Sequence, residues 1–300
     1  MQQTFDERNR DLQVWIDGVL AHRDVAGVSP FDSSVQGGDA VWEGLRLYDA
    51  RIFKLDEHLA RLEHSARALA FTDIPPRARI VDALRETLAA NRMRDGVHIR
   101  LTLTRGRKLT SGMDPRLNTS GPTLIVLAEF KPPVYDRGGL RLATSSVRRF
   151  GPDRLDPKVH HNNLLQSILA KLEANAAGAD DALMLDERGF IAETNATHVF
   201  GVVDGVLVTS RTVACPEGIT RATVLELAAR EALPHAVRDW SQAELYRAEE
   251  AFCTGTMGEL AAITEVDGRP IGDGRPGPLT GRLAELYAER TAREGTRVVD

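Results

Sequence analysis

Apolar residues recur at helical spacing early in the chain, where Leu55, Leu59, Leu62, Ala66 and Leu69 fall on one face. The spacing predicts a helix that carries Arg61 and that Asp56 can cap. A second helix is predicted over "ARIVDALRETLAANRM", and strands over "VHIRLTLTRG" and "PTLIVLAEF". Ahead of them, "LQVWIDGVL" and "LRLYDARIFKL" each set a turn between apolar runs and read as hairpins. The stretch "KPPVYDRGG" then breaks the periodicity with Pro, Gly and charge, a linker composition.

Beyond it the periodicity resumes. "LRLATSSV" reads as a strand, and Leu164, Leu165, Ile168, Leu169 and Leu172 form one apolar helix face. "ALMLDERGFIAETNATHVFGVVDGVLVT" predicts successive strands joined by tight turns. "EGITRATVLELAAREAL" is a turn entering a helix, "AEEAFCTGTMGELAAITEVDG" a strand, a turn and a strand, and "PGPLTGRLAELYAERTARE" a closing helix. The mix predicts an α+β fold with mostly antiparallel pairing. Its 300 residues exceed what one core usually organises, so two domains are expected: residues 1–128, a linker over 129–138, and residues 139–300.

Charge and cysteine content narrow the classes. A net charge of −5 gives no electrostatic reason to expect nucleic acid or an anionic membrane as partner. Cys215 and Cys253 stand far apart outside any CxxC pattern, and the adjacent His160 and His161 point in different directions on a helix or strand, so no metal site is expected. The beginning, "MQQTFDERNR", has no apolar leader, and no run approaches a membrane span. A reducing cytoplasm is the expected location.

Five places can carry chemistry. Lys158 sits in "DPKVHHNNLL", a polar knot before an apolar run. It reads either as a solvated surface lysine or as an amine that, once desolvated, becomes a nucleophile. In "GITRAT", Gly218 and the amides of Ile219 and Thr220 suit an anion at a helix start, and "CTGTMGE" offers amides and hydroxyls around Gly255. Glu193 is either a solvated carboxylate or a buried partner for a ring nitrogen, and Arg61 either a surface arginine or a fork onto phosphate.

Taken together, "VWEGLRLYDARIFKLDEHLARL", "PKVHHNNLL", "GADDALMLDERGFIAETNATHVF", "EGITR" and "CTGTMGE" resemble, in order and spacing, the class IV (fold-type IV) pyridoxal-phosphate aminotransferases, over about Trp15 to Tyr287. The resemblance implies a small N-terminal domain, a larger C-terminal domain with a barrel-like sheet, and pyridoxal 5′-phosphate as cofactor. It implies Lys158 as the Schiff-base lysine, Glu193 as partner of the pyridine nitrogen, and Arg61, Ile219, Thr220 and Thr256 as the phosphate cup. Amino acids and 2-oxo acids are the implied small-molecule partners, in a homodimer or larger assembly.

The substrate pocket departs from the family's subgroups. Asn163 and Gln36 stand where branched-chain L-amino-acid aminotransferases carry tyrosines, while "VWEGLR", "HIR" and "GTMGE", with Met257 and Gly258, lean towards that subgroup. "TRG" is not followed by the Arg-x-His trap of bacterial D-amino-acid aminotransferases, and His198 replaces a usual asparagine. His98 and Arg100 alternate with Ile99 and so share a strand face, where Arg100 can take a substrate carboxylate or be salt-bridged; Arg46 and Lys108 are further candidates. The expected activity is an atypical D-amino-acid:2-oxoglutarate transaminase with (R)-amines as side substrates. Branched-chain L-amino-acid transamination is the alternative, followed by aminodeoxychorismate lyase.

Overall fold

The computed structural model describes residues 3–135 and 138–299. Asp136 and Arg137, in the expected linker, lie outside the described residues. The described residues of Gln2–Pro132, Val159–Asn163 and Thr291–Asp300 form one compact unit, and those of Pro133–Lys158 and Leu164–Arg290 the other. The chain first passes between units inside the stretch read as linker. Two segments expected with the second domain instead belong to the first, because each pairs with a strand there.

The first unit holds strands β1 (Gln13–Ile16) and β2 (Val19–His22), helix α1 (Ser33–Gly37), strands β3 (Ala40–Tyr48) and β4 (Arg51–Ile52), helices α2 (Leu55–Ala68) and α3 (Arg77–Ala90), and strands β5 (Val97–Thr104) and β6 (Thr123–Phe130). With the late strand Thr296–Arg297 they make an antiparallel sheet in the order Thr296–Arg297, β4, β3, β5, β6, β1, β2. Both expected hairpins form. The first turns on Asp17 and Gly18 at φ 47° and 92°, the left-handed pair that matches the twist of two-residue hairpins. Leu55, Leu59, Leu62 and Ala66 of α2 are fully buried with Val41, Leu45, Ile99 and Leu101 of the sheet. Asp56 does not cap that helix. Lys54 takes the N-cap in a left-handed conformation, and Asp56 lies in the first turn, where its charge still suits the helix dipole.

The second unit holds β7 (Leu140–Thr144), α4 (Leu165–Ala176), β8 (Asp181–Leu185), β9 (Ile191–Thr194), β10 (His198–Val203), β11 (Val206–Thr209), α5 (Ile219–Arg230), β12 (His235–Val237), α6 (Gln242–Tyr246), β13 (Glu250–Gly255), β14 (Glu259–Val266), β15 (Arg269–Pro270) and α7 (Pro278–Arg293). The sheet order is β12-β11-β10-β13-β14-β7-β8-β9, with β15 on β14. Strand β9 runs directly into β10 through a turn closed by the Thr194 amide on the Thr197 carbonyl at 2.7 Å. The path through the sheet thus returns on itself, which curls it into a half-barrel. Antiparallel pairing does not hold throughout: β7–β8, β7–β14 and β11–β12 are parallel. In two of these pairs a helix, α4 or α5, supplies the long crossover that parallel neighbours need.

Helix α4 departs most from expectation. Its buried residues are Ala170 and Ala174, packed with Ala182 and Met184 of β8. Leu165, Ile168, Leu169 and Leu172 are 52–65% exposed, so the apolar run does not anchor the helix to its own unit. The small alanines let helix and sheet approach closely, leaving the leucines on the far side.

Candidate active site

In the second unit, the turn between β9 and β10 organises the candidate residues. Thr194 Oγ1 accepts from the amides of Ala196 and Thr197 at 3.1 and 2.8 Å, and Asn195 Oδ1 accepts from the Ala182 amide at 2.7 Å. Thr197 and His198 support two glycine loops. A Cβ on Gly255 would lie 2.9 Å from Thr197 Cγ2, and one on Gly218 would lie 2.2 Å from His198 Nε2. Only glycine permits either approach. Gly218 is the N-cap of α5 and makes no side-chain cap bond, so the amides of Ile219 and Thr220 begin a twelve-residue helix without side-chain capping. Thr256, Met257 and Gly258 form the turn after β13. Thr254 Oγ1, one residue before Gly255, is buried without a hydrogen-bond partner among the described residues.

Glu193 is buried on β9 and its Oε1 pairs with Nη2 of Arg149, which also reaches Ser167 Oγ at 3.2 Å. Burial lowers the Arg149 guanidinium to about 10, so it remains charged at neutral pH. Its Nε is buried without a partner among the described residues. Lys158 is exposed in a turn, with its amide donating to Asp156 Oδ1 at 3.0 Å, and α4 starts only at Leu165. The lysine therefore precedes an extended segment, not a helix start.

The first unit carries the remaining candidates. Arg61 lies on α2 and grips Glu43 with two bonds, Nε to Oε1 at 2.8 Å and Nη2 to Oε2 at 2.7 Å. Glu43 is fully buried and also lies 2.7 Å from His58 Nδ1. Burial pushes its carboxyl up, but Arg61 and His160 outweigh that and hold it well below the usual carboxylate range. His98 and Arg100 lie on the face of β5 opposite Ile99 and Leu101, which are in the core. Arg46 pairs in register with His98 and donates to the Lys131 carbonyl at 3.1 Å. Burial, then the charges of Lys131, Arg46 and Arg100, bring His98 down to about 3, so it is neutral. Arg100 bonds Asn162 Oδ1 at 2.5 Å and lies 3.9 Å from the centre of the Trp42 ring. Gln36 is exposed on α1, bonded to Pro30 and Ser111, and Lys108 holds the Gly112 carbonyl of its own loop.

Sequence reading missed Arg149, Glu43, Trp42 and Tyr135. Tyr135 donates to Asp181 Oδ2 at 2.7 Å, and its ring fills the space beside Gly258, where a Cβ would meet Cδ2 at 2.3 Å. Nothing in "PPVYDRGG" or "SVRRFG" signals these contacts, since both partners lie far along the chain. Among the described residues no cluster of His, Cys, Asp and Glu is placed to hold a metal ion, and no helix is long and apolar enough to cross a membrane.

The family model for amino-transferase class IV matches residues 40–266, a span that includes Lys158, Glu193 and both glycine loops. The chain belongs to the class IV aminotransferase family. It is 52% identical over 97% of its length to branched-chain-amino-acid aminotransferase-like protein 2 of Arabidopsis thaliana, and covers 52% of that protein. The chain thus spans about half the length of this relative. A putative branched-chain-amino-acid aminotransferase of Methanocaldococcus jannaschii is 38% identical, with 96% of this chain and 100% of that protein aligned. The structure of the branched-chain amino acid aminotransferase from Thermobaculum terrenum in its PLP form superposes with a TM-score of 0.84 at 28% identity, over 95% of this chain and 95% of that one. Pyridoxal 5′-phosphate is the cofactor of this class IV fold. The second unit's residues fit such a group: two glycine loops, one of them opening helix α5 without a side-chain cap, a buried hydroxyl at Thr254 with no partner among the described residues, and a buried carboxylate at Glu193.

Proposed function

We propose that the protein is a pyridoxal-phosphate-dependent aminotransferase that moves the amino group of a branched-chain L-amino acid to a 2-oxo acid such as 2-oxoglutarate. The observation that carries the reading is the family match over residues 40–266, a span that contains Lys158, Glu193 and both glycine loops. The names of the relatives support the branched-chain substrate better than the D-amino acids suggested by the pocket segments.

When bound, the cofactor draws electrons from the carbon that bears the amino group. Lys158 would hold the cofactor through its side-chain amine and, once displaced by the substrate amine, would serve as the base that moves the proton at the substrate Cα. Glu193, paired with Arg149, holds the proton on the ring nitrogen. In the second unit the amides of Ile219 and Thr220 and the side chain of Thr256 bind phosphate; in the first unit Arg61 is the phosphate-fork candidate. In the first unit Arg100, with Arg46 and His98 beside it, is the substrate-carboxylate candidate and Gln36 a side-chain contact; in the second unit Met257 and Gly258 are the substrate-contact candidates. We further propose a homodimer or larger assembly formed through α4. Its outer face carries Leu165, Ile168, Leu169 and Leu172, while Lys171 is held by Asp181 and Glu173 by Ser145 and Ser146.

The test is a spectrum of the protein loaded with pyridoxal phosphate, followed on adding L-leucine and, separately, D-alanine. Fast bleaching of the visible band by L-leucine alone is the expected result. Preferential bleaching by D-alanine would return the protein to the D-specific reading.

A further inference from the structure

The segment after Lys158 is built into the first unit's sheet. β4 is only two residues long and pairs with Leu47 and Tyr48, so the start of β3 has an open edge. Residues 160–162 occupy it. The Trp42 amide donates to the His160 carbonyl at 3.0 Å, the Asn162 amide to the Ala40 carbonyl at 2.8 Å, and Val41 bridges His161. The His160 amide donates to Ser65 Oγ of α2 at 3.0 Å, and Trp42 Nε1 donates to the His161 carbonyl at 3.1 Å.

The His160 side chain completes the attachment. Its ring stacks on Trp42 with centroids 4.4 Å apart and planes 25° from parallel. Nδ1 lies 2.5 Å from the Trp42 carbonyl oxygen, which can only accept, so Nδ1 carries the hydrogen. Glu43 Oε1 stands 3.5 Å from the same nitrogen, and that carboxylate is the one gripped by Arg61 and His58. Burial and the Arg61 charge lower the imidazole's affinity for a proton, consistent with a neutral ring. The His160 side chain is thus held by one bond to main chain and by the face of an indole, two residues after Lys158.

We propose that His160 is a positioning residue for Lys158, fixing the backbone that carries the lysine by docking it through Trp42 and Glu43 onto β3. The inference rests on the reading of Lys158 as the cofactor-binding nucleophile. Removing the Nδ1 bond and the stacking loosens that backbone, leaving only its main-chain bonds to β3 and Ser65. The lysine then samples geometries unsuited to proton transfer, a loss that falls on kcat more than on KM.

The test compares His160→Leu, which keeps bulk but neither contact, with His160→Asn, whose amide restores the donor near the Nδ1 position. Both are measured with the loaded holoenzyme for kcat, KM, thermal midpoint and the pH midpoint of the cofactor's visible band. His160→Leu is expected to lower kcat by about tenfold or more with KM within about threefold, and to move the band's pH midpoint. His160→Asn is expected to recover most of both. Should His160→Leu fail to fold, Ser65→Ala, which removes only the bond to the His160 amide, is expected to move kcat and the band midpoint in the same direction by less. Unchanged kcat and band midpoint in the folded variants, or a loss explained by lowered thermal stability with the midpoint fixed, overturns the proposal. A wild-type protein with no lysine-linked band would instead overturn the reading of Lys158.

Discussion

Helices α2 and α4 carry the same sequence pattern and meet opposite fates. In α2 the leucines at positions 55, 59 and 62 are buried to 2% exposure or less, whereas in α4 those at 165, 169 and 172 are more than half exposed. Periodicity tells which residues share a face. It does not tell what covers that face, and in α4 the buried side is that of Ala170 and Ala174, packed against Ala182 and Met184 of β8. The lesson extends to function: α2 turns its leucines to the core and presents His58 and Arg61 to Glu43, so one helix both packs and carries chemistry.

The contrast can be broken at several points. Leu59→Ala in α2 opens a cavity in a closed core and is expected to cost about 2–5 kcal/mol by denaturant unfolding. Ala170→Leu beneath α4 overfills a tight contact, with an expected cost of about 1–3 kcal/mol. A cost near zero in either case would mean that the packing of that helix is looser than described.

Acid sensitivity sharpens the comparison, since the first unit buries His98 and Glu43. Unfolded histidine takes up a proton near its ordinary 6.5 and folded His98 only near 3, so the unfolded state binds more protons in between. Stability from His98 is therefore fully present above about 6.5 and lost as pH falls towards 3. Glu43 acts in the same direction, its share being lost as pH falls below the ordinary carboxylate range. His98→Gln is expected to flatten the pH dependence of the unfolding free energy between pH 6.5 and about 4; an unchanged slope would contradict it. Smallest of all, Leu169→Ser on the outer face of α4 is expected to change the stability of the isolated chain by no more than about 0.5 kcal/mol. The pair Ile168→Glu and Leu172→Glu should lower the sedimenting mass if that face joins copies.

Much of the fold is legible in local patterns. Asp17-Gly18 and Asp204-Gly205 adopt the left-handed turns their hairpins need, and α2, α3, α5 and α7 form where apolar spacing predicts. What escapes is long-range. The parallel pairs of β7, β8 and β14 join segments whose pairing no turn dictates, and His160 and the strand Thr296–Arg297 reach sheet edges made by residues far off in sequence. At the site, the glycine loops at Gly218 and Gly255 are visible because close approach demands glycine. Arg149 and Glu43 are not, since a lone arginine or glutamate looks the same in sequence whether it is solvated or buried in a pair.

The most direct test of the account is borohydride reduction of the protein loaded with pyridoxal phosphate, followed by peptide mass mapping. The account predicts a pyridoxyl group on the peptide containing Lys158, absent from Lys158→Ala. A stable adduct on another lysine, or none, would contradict the assignment of Lys158.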